Sequence, residues 1–144
     1  TYGGAMRNGT PTSGGHLSFD RYEQDQVIQL TQNESGGQRT AFLAITDRPD
    51  KPIDFAGIAK ATALPDAAQK EAAIKEVVAG GSIGAKTRVF LGRERDHSSS
   101  LTLGDAQGRP RMVLKVTENG AASIQFLDEN AKVVRTVTPA GDQK

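Results

Sequence analysis

The chain has no cysteine and no tryptophan, and only 5% of its residues are aromatic. Without cysteine there is no disulfide and no thiolate metal site. With so few rings, any core must be built from aliphatic side chains, and at 36% hydrophobic content with 16 glycines that core is expected to be thin. An excess of one charge is missing too. Eighteen basic residues face 17 acidic ones, a net charge of +1, so no global attraction to nucleic acid or to an anionic membrane follows. No apolar run reaches the roughly 18 residues that a membrane-spanning helix needs, and no signal-peptide pattern is present. The 144 residues suffice for one ordinary domain or two very small ones.

What the chain does have is a copy of itself. Leu101 to Phe126 lies on Leu30 to Phe55 at a constant shift of 71 without a gap, and the match extends back to Phe19 on Phe90. Ten of those 37 positions are identical, among them Leu30/Leu101, Gly37/Gly108, Leu43/Leu114 and Phe55/Phe126. Self-similarity at a fixed period points to paired or stacked copies of one supersecondary unit.

Each copy reads as an antiparallel β-meander. Strands are expected near 16–20, 25–32, 38–46 and 51–55 in the first, and near 87–92, 98–104, 110–117, 121–127 and 132–137 in the second. The tight-turn sequences "ESGG", "DAQG" and "ENG" divide them. Alternation puts Leu30, Ala41, Leu43, Ile45, Ile53 and Phe55 on one face, and Leu101, Met112, Leu114, Val116, Ile124 and Phe126 on its counterpart. Between the copies, "LPDAAQKEAAIKEVVAGG" reads as one helix. Pro65 and Asp66 stand at its start, Glu71 and Lys75 form an i,i+4 pair, and Gly80-Gly81 stops it. Leu64, Ala67, Ile74 and Val78 form a narrow stripe by which it would dock. The expectation is therefore a mainly β protein: a Gly-rich linker or tail over 1–15, meander units at 16–55 and 87–137 joined by one α-helical connection over 56–86, and a polar tail over 138–144.

Chemistry-bearing patterns are weak. "GGSIGAKT", Gly80 to Thr87, approaches a phosphate-binding loop, but Ala85 replaces the second required glycine. The segment also follows a helix and opens a strand, the reverse of the required context. "RDHSSS" holds Asp96, His97 and Ser98, but sequence adjacency is not a triad. His16 and His97 make no metal spacing. Asp47, Asp50 and Asp54 crowd one loop without the calcium-loop pattern. Glu23/Asp25 and Glu94/Asp96 recur in both copies, which favours a structural role at the first turn. Arg109, Arg111 and Lys115, near Arg93 and Arg95, suggest a basic stripe, and no aromatics interleave to stack bases. Asn8 and Asn33 open short glycosylation patterns in turn-like sequence. No catalytic residue, cofactor or metal ligand is assigned. If the protein binds or interacts through these groups, the candidates are Arg93, Arg95, His97, Arg109, Arg111, Lys115, Asp47 and Asp50.

The phrases "FDRYEQDQVIQL", "AITDRPDKPID", "RVFLGRERD" and "LGDAQGRPRMVLKVTENGAASIQFLDENAKVV" resemble a group of bacterial proteins to which no activity is assigned. Members of that group carry further sequence before the "YGG" matched by Tyr2-Gly3-Gly4, including a hydrophobic segment, and a glycine where this chain has Ala131. The resemblance implies the C-terminal portion of an anchored, extracytoplasmic protein. The functional expectation is a non-enzymatic structural or assembly module of the cell envelope. It would form a homo-oligomer or meet a partner protein, bind no nucleic acid, and hold no membrane span within this chain. The alternative is a small-molecule or carbohydrate-binding module, with a polar pocket between the units near "DRPDKP" and "RERDHSSS".

Overall fold

Four turns of one kind set the frame of the C-terminal half. In each, the N–H of the first residue donates to the carbonyl of the fifth, and the N–H of the fourth donates back to the first. The pairs are Glu94/Ser98 with His97, Asp105/Arg109 with Gly108, Thr117/Ala121 with Gly120, and Asp128/Lys132 with Ala131. The fourth residue always has positive φ, between 60° and 84°. This is the tight turn followed by a left-handed residue that joins antiparallel strands with the proper twist. The first side chain braces the loop. Asp105 Oδ1 accepts from the N–H groups of Gln107 and Arg109, and Asp128 Oδ1 from those of Asn130 and Lys132. The turns begin at 94, 105, 117 and 128, so the chain reverses every 11 or 12 residues.

A computed structural model describes residues 2–143. Its ten strands form one antiparallel sheet in sequence order. They are β1 (Tyr2–Arg7), β2 (Thr10–Asp20), β3 (Gln26–Ser35), β4 (Gln38–Asp47), β5 (Lys86–Arg93), β6 (Ser99–Gly104), β7 (Pro110–Val116), β8 (Ala122–Leu127), β9 (Val133–Thr138) and β10 (Gly141–Gln143). The mainly β meander is as the sequence leads one to expect. Matched residues of the two copies make matched cross-strand pairs, Leu30 with Leu43 and Leu101 with Leu114. The correspondence stops at β2, because Leu91 faces Leu101 whereas Leu30 faces Leu17, not the residue 71 before Leu91.

Several expected boundaries are corrected. The Gly-rich head is a hairpin, β1 on β2, closed by Asn8 and Gly9 with φ of 50° and 74°. The polar end adds β10 to β9. No strand forms at 51–55. Instead Asp54 caps a helix by accepting from the Gly57 N–H at 2.8 Å, and α1 runs Phe55–Ala63. Leu64 is extended, as a residue before proline prefers, and Asp66 caps α2 (Ala67–Ala79) by accepting from the Gln69 N–H. The connection therefore holds two helices, not one.

These helices pack on each other, with Ala61 of α1 buried, and neither packs on a strand among the described residues. Loop contacts tie the pair to one end of the sheet. Arg48, with its side chain only 13% exposed, donates to the carbonyls of Gln26 and Gly84 and pairs with Asp25 at 3.5 Å. Gln24 donates to the carbonyls of Lys51 and Ser82, and Lys51 to that of Gly80. Without helices across it, the sheet is a single layer. Ala44 and Ala61 are the only buried apolar residues among those described.

Candidate functional site

Side chains alternate across a strand, so the register decides what each face presents. On one face a row runs unbroken across eight strands: Leu17, Leu30, Leu43, Leu91, Leu101, Leu114, Ile124 and Val137, each directly opposite the next. Beside it runs a second row of Phe19, Ile28, Ile45, Val89, Leu103, Met112 and Phe126, ending at Arg135. The other face is mostly polar, with Gln29, Thr102, Lys115, Gln125 and Thr136 at the same levels. Its apolar members include Val113 and the Phe42–Phe90 pair, whose ring centres are 5.5 Å apart beside buried Ala44. Apolar residues expected to be interior therefore do share one face, apart from Ile53 and Phe55, which lie outside the sheet. Among the described residues no element packs across that face. Leu17, Leu30 and Leu91 are each more than half exposed.

Two hollows lie along the leucine row. One, of about 420 Å³, is lined mainly by Leu91, Leu101, Leu114, Val116, Ile124 and Val137. The other, of about 860 Å³, lies against Leu17, Leu30, Ala41, Leu43 and Leu91. Leu91 borders both, so the hollows continue one another.

The charged candidates do not converge. Arg93 belongs to the apolar face, at the level of Ala41 and Ser99, whereas Arg111 and Lys115 belong to the polar face. Arg95 is in the β5–β6 turn and borders a small hollow with Gln38 and Thr40. Arg109 is at the opposite end of the sheet, 2.8 Å from Asp105. The expected basic stripe is thus dispersed. Asp47 pairs with Arg88 and Asp50 with Arg21, both at 2.7 Å, while Asp54 serves as a helix cap. Three carboxylates of one loop so take three separate partners. Among the described residues no group of three or more His, Asp or Glu could hold a metal ion. No described helix is long and apolar enough to cross a membrane.

The recurrent acids beside β6 do structural work. Asp96 accepts from the Ser98 hydroxyl at 2.5 Å, from the Ser98 N–H at 3.1 Å and from Lys115 Nζ at 3.0 Å. These hydrogen bonds, the Ser98 hydroxyl first, hold its carboxyl well below the ordinary carboxylate range, and the same contact raises Lys115. Glu94 accepts from Ser100 at 2.6 Å. Ser98 is 1% exposed. The ring of His97 goes to Glu118 at 2.6 Å, and "RDHSSS" makes a braced turn. A hollow of about 400 Å³ does lie at "DRPDKP", against Asp47, Arg48, Asp50 and Lys86, but it does not take in "RERDHSSS". Those segments flank opposite ends of β5, about 25 Å apart at the usual rise per residue.

Sequence reasoning missed Arg48 as the anchor of the helical connection, and its loop of prolines and acids gives no periodic signal. Comparison with protein families, curated proteins and solved structures yields no match.

Proposed function

We propose that this chain is a non-enzymatic assembly module that self-associates, and that it works in the bacterial envelope or outside the cell. The observation that carries the self-association is the uncovered apolar face. An aliphatic row across eight strands and a second apolar row across seven lie side by side on a single-layer sheet and meet no second layer among the described residues. A contiguous exposed apolar patch of this kind marks an interaction surface. A sheet with one apolar face needs a second layer for stability. The envelope location rests on the resemblance of "RVFLGRERD" and its neighbours described above. A non-enzymatic role is supported by the side chains of His97, Arg109, Lys115, Asp47 and Asp50, each of which holds a charged side-chain partner.

Sedimentation velocity of the purified chain across the micromolar range tests this reading. A defined oligomer is expected. A single monomeric species at every concentration would contradict it.

A further inference from the structure

We infer that the apolar face is covered by the same face of a second copy of this chain, the two sheets packing as a two-layer sandwich. The inference rests on the self-association proposed above and names the surface that performs it.

The first argument is area. A compact chain of this mass exposes about 7,200 Å². This one exposes 9740 Å², an excess of about 2,500 Å² over that scaling. Stable interfaces remove about 800 Å² per partner, and obligate dimers more. An excess of that size is ample for such an interface.

The second argument is the shape and chemistry of the band. Eight strands about 4.8 Å apart and two rows of side chains give an apolar strip of about 38 by 14 Å. Its inner positions carry no charge; the cation Arg135 stands only at one end. A two-fold axis between Leu91 and Leu101, the middle of the leucine row, lays each row against its own copy and sets apolar on apolar, except at the two ends of the second row, where Arg135 of one copy meets Phe19 of the other. Twisted sheets stack in this way, about 10 Å apart with strands crossing at roughly 30°. The hollows along the row receive the partner's side chains. The chain's own helices are not an alternative cover, because Arg48, Gln24 and Lys51 fasten their connection at the sheet end.

The absence of cysteine makes the test clean. Leu101→Cys places one thiol at the centre of the apolar face, and Thr102→Cys places one on the polar face of the same strand. Sheets about 10 Å apart are too distant for a disulfide but within reach of a short bismaleimide. Rapid cross-linking to a dimer is expected for Leu101→Cys, at least tenfold faster than for Thr102→Cys. In parallel, Leu101→Glu with Leu114→Glu is expected to halve the mass in light scattering. Equal or faster linking through Thr102→Cys, or an undiminished mass for the glutamate variant, would overturn the face while leaving self-association intact. A trimer would overturn the two-fold arrangement. A monomeric unmodified chain would overturn both this inference and the reading it rests on. So would a monomer from which organic extraction recovers a stoichiometric lipid.

Discussion

At the scale of residues, the fold depends on a few positions where the backbone or a charge is constrained. Ala131 sits at φ 60°, in the left-handed slot that Gly108 and Gly120 fill in the equivalent turns. An L-residue there costs about 1–2 kcal/mol, of which glycine's greater unfolded-state freedom returns part. Ala131→Gly is therefore expected to stabilise the protein by about 1 kcal/mol, or about 3 °C in Tm for a domain of this size. A lower Tm would show that the turn does not bear that strain. Asp96 supplies a pH signature. Its folded-state pKa is lowered by Ser98 and Lys115, so its network stabilises the fold above the ordinary value of 3.8 and ceases to do so as the pH falls below it. The raised Lys115 loses its contribution only as the pH rises past its ordinary 10.5. Denaturant midpoints of Asp96→Asn and the unmodified chain should differ at neutral pH, and the gap should narrow progressively as the pH falls from 3.8 toward the lowered folded value. A gap that persists unchanged in acid would contradict the network.

At the scale of elements, the strands were legible because alternation fixes register. A one-residue slip would send Leu43 or Leu114 to the polar face. Other elements were hidden by competing signals. Asn8-Gly9 is a hairpin turn signal, but the glycines around it read as a linker; the pairing of Gly3 with Gly14 shows that backbone hydrogen bonds suffice there. Ile53 and Phe55 continued the apolar repeat, yet Asp54 could cap a helix, and the Ala-rich run after it prefers one. The reversal every 11 or 12 residues escaped notice because its turn residues vary: His97 and Ala131 stand where glycine would have made the period plain. Gly92 shows how closely the two halves of the sheet meet. A Cβ there would stand 2.6 Å from Phe42 Cβ and 2.7 Å from the Ala41 carbonyl oxygen. Gly92→Ala should thus force β4 and β5 apart and cost about 1–3 kcal/mol in chemical denaturation. A neutral effect would mean that this junction is loose.

At the scale of the whole molecule, the question is how a ten-stranded sheet holds together with almost no buried apolar side chain. Periodicity told which residues share a face, but it could not tell what lies against that face, because alternation is the same whether the second layer comes from the same chain or another. The candidate site was legible only in that sense: its apolar residues were grouped on one face, while the charged groups offered as interaction sites are spread over both faces and both ends of the sheet. If the second layer is another copy, folding and association are one equilibrium, and stability must depend on concentration. The thermal midpoint, measured over several decades of protein concentration, tests this most directly. The account predicts a rise of about 2 °C for each tenfold increase, treating two chains as unfolding together. A midpoint that stays constant from low to high concentration would contradict it.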